Sequence, residues 1–139
     1  MPANNNPIFI GTPIVQNIIS AEVTGRDGTS GTYQLLFNPG PNGSRVERVT
    51  AITAGTISSP SSAMALRVYV KNLNNNVLYL YREAVIPAAT PGTAVIGSNI
   101  TFNFNGGLCL GTQSQIWVGQ STYADADDRI SWTAEGGDF

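Results

Sequence analysis

The chain has 139 residues, the size of a single domain with its own hydrophobic core. Only 12% of the residues are charged, the net charge is −2 and histidine is absent, against about 25% charged residues in an ordinary soluble domain. The missing imidazole removes the commonest general base, the Ser-His-Asp triad, Cys-His catalysis and most zinc sites. Six scattered arginines and one lysine, Lys71, form no basic stripe for nucleic-acid phosphates.

Residues 1–13, "MPANNNPIFIGTP", lack the basic start and long apolar run of a signal peptide. Pro2, Pro7 and Pro13 cannot donate to a strand ladder, so this segment reads as an extended arm or an edge piece. Its "IFI" is too apolar to remain in water and should pack on its own domain or on a neighbouring subunit. No apolar run approaches the roughly 20 residues of a membrane helix, so the expectation is a soluble protein made in a cytoplasm, without membrane contact.

Residues 14–139 read as one all-β domain. Gly, Pro, Asn, Thr and β-branched residues dominate and disfavour helix interiors. "PIVQNIISAEV" is a candidate first strand. "TYQLLF" is the second, with Tyr33, Leu35 and Phe37 expected on one side. "SRVERVTAITAGT" is the third, with Val46, Arg48 and Thr50 alternating against Glu47, Val49 and Ala51. Both of its faces carry apolar residues, which predicts a central strand. "MALRVYVKN" sets Leu66, Val68 and Val70 against Arg67, Tyr69 and Lys71. With "VLYLYREAVI", where Leu78 and Leu80 oppose Tyr79 and Tyr81, it forms a predicted hairpin. "PAATPGTAVIGS" is a connection across one end. "NITFNFN", "SQIWVGQS" and "RISWTAE" complete about eight strands. That number and spacing predict an antiparallel β-sandwich, best fitted by a jelly roll.

Few residues offer chemistry. Cys109, the only cysteine, lies between two leucines in "GGLCLG" and is expected to be buried and inert. Asp125, Asp127 and Asp128 cluster in "YADADDRISW". The spacing departs from the EF-hand loop, leaving a solvated loop or a weak cation site. "GRDGTSG" and "NPGPNGS" are turn-rich knots whose Asp27-Gly28 and Asn42-Gly43 pairs suit tight turns. Trp117 and Trp132 lie on predicted strands, in a core or interface role or as platforms for sugars. No enzyme activity, cofactor or metal site is expected.

Taken in order, "FIGTP", "GRDGTSGTYQLLF", "NPGPNGSRVERV", "RVYV…LYLYREAVIP" and "WTAEGGDF" resemble a family of small phage and prophage virion proteins. Similar proteins carry "FVGTP", "NRDGTGT", "GANGSRI" and a closing "A-x-GGD-F/Y". The resemblance implies a virion structural protein of β-sandwich type. Its favoured form is a capsid decoration (cement) protein, a homotrimer on the outer capsid surface that bridges capsomers and contacts the major capsid protein or another virion protein. Under that reading the candidate assembly contacts are the arm residues Pro7, Ile8, Phe9 and Ile10. The C-terminal Gly136, Gly137, Asp138 and Phe139 form a second group, and the knot residues Arg26, Asp27 and Arg45 are candidates for lining a subunit contact. The alternative is a tail-tip or receptor-binding module for host-surface glycans, with Trp117, Trp132 or Tyr123 as the stacking residue.

Overall fold

Period-two alternation decides which side of each strand meets the core, and in this chain it builds two sheets that bury one face each. The computed structural model describes residues 11–55, 60–92 and 94–139. The arm residues Pro7, Ile8, Phe9 and Ile10 lie outside the described residues. The strands are β1 (Thr12–Ser20), β2 (Gln34–Phe37), β3 (Ser44–Thr53), β4 (Met64–Asn72), β5 (Val77–Ile86), β6 (Asn99–Leu110), β7 (Ser114–Gln120) and β8 (Ile130–Asp138). One short 3₁₀ turn, Ala126–Asp128, precedes β8.

The first sheet has the order β1-β8-β3-β6 and the second β2-β7-β4-β5. All neighbours run antiparallel. The pairs β1·β8, β2·β7, β3·β6 and β4·β5 are nested, as in one long hairpin. Wrapping that hairpin around a core brings β8 against β3 and β7 against β4. This is the jelly-roll order. It places β3 in the interior of its sheet, as its two apolar faces predict. Pro13, near the start of β1, stands on an edge strand, where its missing amide donor is tolerated.

The innermost hairpin, β4·β5, turns through Asn72–Val77. Asn76 adopts a φ of 58°, which asparagine tolerates. Asn72 and Asn75 accept bonds from the amides of Asn74 and Val77 at 2.9 and 3.1 Å, so the turn holds itself.

Leu66, Val68, Ile116, Val118, Val49 and Trp132 are fully buried where the two sheets face each other. Phe102 stacks on Trp132 with ring centroids 6.4 Å apart, and Tyr81 packs against Phe104 at 5.6 Å. At one end the core becomes polar but stays fully bonded. Trp132 Nε1 donates to Ser20 Oγ at 2.9 Å, and Ser20 Oγ donates to Gln120 Oε1. Gln120 Nε2 in turn donates to the carbonyls of Thr122 and Asp128, each at 2.7 Å. This chain of bonds ties β1, β7 and β8 together across both sheets.

Strict alternation fails where the ladders shift. Between Val46 and Arg48 the β3 register slips against both β8 and β6. Val46 therefore joins Val49 and Ala51 in the core instead of sharing a face with Arg48. A shift between Leu35 and Phe37 leaves Leu35 38% exposed while Leu36 and Phe37 are buried, so Leu35 and Phe37 do not share a face. A shift opposite Val68 and Tyr69 turns Tyr81 toward Phe104. The β3·β8, β2·β7 and β4·β5 shifts each add one residue to one strand and reverse the sidedness beyond it, whereas against β6 the two steps from Val46 to Arg48 face the five from Leu108 to Asn103.

Trp132→Ala should cost about 3–5 kcal/mol, since it removes a large buried ring and the donor to Ser20 Oγ. Urea denaturation followed by Trp117 fluorescence measures this. Val85→Ala, at a position 69% exposed, should stay within about 0.5 kcal/mol of the parent.

Candidate assembly surfaces

The "NPGPNGS" knot and the C-terminal "GGDF" segment meet at one end of the first sheet. β8 runs on through Gly136, Gly137 and Asp138, so "GGD" is the end of an internal strand between β1 and β3 rather than a tail beyond Glu135. Gly136 makes this possible. A Cβ there would lie 2.1 Å from the Arg45 carbonyl oxygen, so only glycine lets β3 approach. The Asp138 carboxylate accepts from Gly40 N at 3.2 Å and from Ser44 Oγ. Ser44 Oγ also accepts from Gly40 N at 2.9 Å. The Phe139 amide donates to the Gly43 carbonyl at 3.2 Å. Gly43 closes the "NPGPNGS" turn at a φ of 86°. The turn and the chain end are one hydrogen-bonded corner, with the Phe139 ring half-buried at its rim.

Arg45 leans along the Gly106–Gly107 bulge of β6, where a Cβ on Gly107 would strike its Nε at 2.2 Å. That Nε sits 2.8 Å from Glu47 Oε1, an ion-pair distance without hydrogen-bond alignment.

The knot of Arg26 and Asp27 lies elsewhere, over the outer face of the second sheet. The hydroxyls of Tyr33 and Tyr69 both donate to the Gly25 carbonyl, at 2.8 and 2.9 Å, with the two rings edge to face. Tyr69 is fully buried under this loop, and burial pushes its hydroxyl up to about 12. Asp27 accepts from the amide and hydroxyl of Thr29 at 2.9 and 2.7 Å, which holds its carboxyl below the usual range. Arg26 grips both oxygens of Glu83 at 2.9–3.2 Å, and Arg67 approaches the same carboxylate at 3.4 Å. The Arg26 bond lowers the Glu83 pKa and raises that of Arg26. This pair is exposed and adds little stability.

The remaining candidates separate cleanly. Trp132 is in the core and has no face for a sugar. Trp117 is half-buried on the outer face of the second sheet, with the Lys71 ammonium 4.5 Å over its ring. Tyr123 is half-buried in the loop before β8. Cys109 is exposed, not buried. Leu110 points inward and Leu108 packs on the core, so the residue between them faces out. Asp128 is no part of a solvated loop, being only 1% exposed. It accepts from the amides of Ser62 and Ala124 at 2.7 and 2.8 Å and from Ser62 Oγ at 3.3 Å. Among the described residues no group of three acidic or cysteine side chains is placed to hold a metal ion.

The outer face of the first sheet is a surface that the linear sequence did not single out. Its register aligns Asn17, Thr133, Thr50 and Thr101 across all four strands. On one side runs the row Val15, Glu135, Arg48 and Asn103, on the other Ile19, Ser131, Ile52 and Asn99. Val15, Ile19 and Ile52 are 64%, 60% and 40% exposed. Arg48 pairs with Glu135 at 2.6 Å and Arg45 with Glu47, so no charge on the face is left over. A shallow depression of about 570 Å³ opens beside the bulge, lined by Pro13, Ile14, Val15, Glu47, Arg48, Glu135 and Gly136. The signal was present in "PIVQNIIS", which is apolar on both faces although its strand lies at an edge.

No family model, curated protein or solved structure matches this chain.

Two acids generate predictions. Burial alone would raise the Asp128 pKa, but the bonds from Ala124 and Ser62 outweigh it and leave the carboxyl below its usual value. Its contribution is complete above the unfolded pKa near 4 and is lost as pH falls through the lower folded value. Asp128→Asn should therefore be less stable at pH 7 and lose less stability than the parent between pH 5 and pH 2, as read by denaturant titrations across that range. Asp138→Ala should cost about 1–3 kcal/mol by taking the acceptor from the buried Ser44 hydroxyl and one of the two acceptors from Gly40 N, and hydrogen exchange should quicken at Gly40 and Gly43 before it does in β4.

Proposed function

We propose that this chain is a structural protein of a phage virion, acting as a capsid decoration protein that seats on the outer shell as a homotrimer and bridges capsomers. The observation that carries the reading is the outer face of the first sheet. It is broad, its charges are internally paired, and it presents three exposed aliphatic side chains among threonine, serine and asparagine. The buried centres of protein interfaces are depleted of charge in the same way. A clamp working through many modest contacts needs such a surface and no catalytic group. The resemblance of the "RDGT", "NGSR" and "GGDF" segments to phage virion proteins supplies the particle. Both knots are braced in this reading: Asp27 within its own loop and Asp138 at the end of β8 spend their carboxylates on loop amides, which keeps the presented faces in shape.

Quantitative mass spectrometry of purified virions, scaled to the major capsid protein, tests the proposal. Hundreds of copies per particle are expected, and a few copies would place the protein at the tail instead. Thr50→Asp, which sets an unpaired carboxylate in the middle of the face, should leave the fold intact and lower capsid occupancy by about tenfold. Deleting residues 1–10 should likewise leave a folded domain that decorates capsids less fully. Normal decoration by both variants would remove the face and the arm from the attachment site.

A further inference from the structure

Each sheet of the sandwich has two edges, and three of the four carry a guard against pairing with another chain. β2 is four residues long and shifts register. β5 carries Arg82 and Glu83 and a shift of its own. β6 is interrupted by Gly106 and Gly107, both at positive φ. Short length, charge and bulges are the usual protections of an open edge. β1 lacks all three. It pairs with β8 over nine residues without a shift, contains no charged residue, and has one proline near its start. Among the described residues no strand pairs with its other side.

We propose that β1 is a homotypic docking edge, at which β1 of a second copy pairs antiparallel about a two-fold axis and joins two four-stranded sheets into one of eight. The occupant is identified by the strand's own sequence. A two-fold axis normal to the sheet keeps outer faces together only when it passes through a residue position. Centred on Asn17, the pairing sets Asn17 opposite its own copy, Val15 opposite Ile19, and Ile19 opposite Val15. Amide then meets amide, and aliphatic meets aliphatic, as stable cross-strand pairs require. The ladder runs from Ile14 to Ser20 and leaves Pro13 outside. Moving the centre to Gln16 sets Val15 against Asn17 and draws Pro13 into the ladder. Moving it to Ile18 sets Asn17 against Ile19. Val15 and Ile19, among the most exposed aliphatic residues of the face, are the two that this contact sets side by side on the joined outer face. No charge meets its like, so association is insensitive to salt. Gln16, bonded to Asn38 N and O at 3.1 and 3.4 Å, fixes the strand against the end of β2 while, among the described residues, its backbone edge stays open. The contact concerns two copies of this chain and does not depend on the particle reading.

The test uses the full chain with the exposed Cys109 replaced by serine. Asn17→Cys should give a disulfide-linked dimer on mild oxidation. Val15→Cys should not, because its own copy lies four positions along the strand, about 14 Å away. Equal dimer yields from the two variants would overturn the proposal. Sedimentation equilibrium of the otherwise unaltered protein gives an independent reading. Asn17→Lys, at an exposed position, sets two ammonium groups opposite each other and should weaken association by about tenfold or more. Its loss of the two-fold contact should halve the assembled mass, whether the unit is a monomer or a trimer. An unaltered protein without two-fold association, or an Asn17→Lys variant of unchanged mass, would sink the idea.

Discussion

The fold depends on one insertion: β8 must fit between β1 and β3. Everything that closes the sandwich passes through that strand. Its inward residues Ile130, Trp132 and Ala134 fill the middle of the core. Its Trp132 reaches Ser20 on β1 and, through Ser20, Gln120 on β7. Its Gly136 lets the β3 backbone come close, and its Asp138 ties down the turn that starts β3. The low charge content makes these polar ties more consequential. With few ion pairs among the described residues, each with at least one exposed partner, the buried network has to satisfy every donor it contains, since an unpaired group there costs far more than a surface pair contributes.

The architecture was legible in the sequence because alternation is a local signal. "RVYV" and "NFN" show their inward side without any knowledge of their neighbours, and the interior place of β3 followed from its two apolar faces. What escaped was decided by partners distant in the chain. The slip after Val46 exists because β8 and β6 align as they do, and nothing in "SRVERV" announces it. The "GGD" segment reads as a chain end offering assembly contacts, since glycine weakens isolated strands. Its place in β8 follows from the space that β3 needs. Asp128 looked solvated because the Ser62 and Ala124 amides that hold it are invisible to a reader of "DADD". Cys109 was misread in a different way: inward leucines on either side place the middle residue outward.

The candidate surface was less legible than the fold. Trp132, a possible sugar platform by composition, is a core residue. The knots, expected as turn corners that line an assembly contact, spend their polar groups on bonds within the domain. The face that is free to engage a partner consists of threonine, asparagine, serine and a few aliphatics, residues with no chemical signature in a linear reading. Only the register gathers them into one plane.

The hairpin of β4 and β5 has a meaning for how the molecule is made. Its two strands are joined by a self-bonded asparagine turn, so they meet at little loss of chain freedom. Every other pair in the nest spans the one inside it. Once β4·β5 has formed, the loops that separate β3 from β6 become short, and β2·β7 and then β1·β8 can follow outward. The nesting thus implies an order of assembly that starts at the tip and finishes at the strand carrying Trp132. β1, at the edge of its sheet, is the last strand to be set in place.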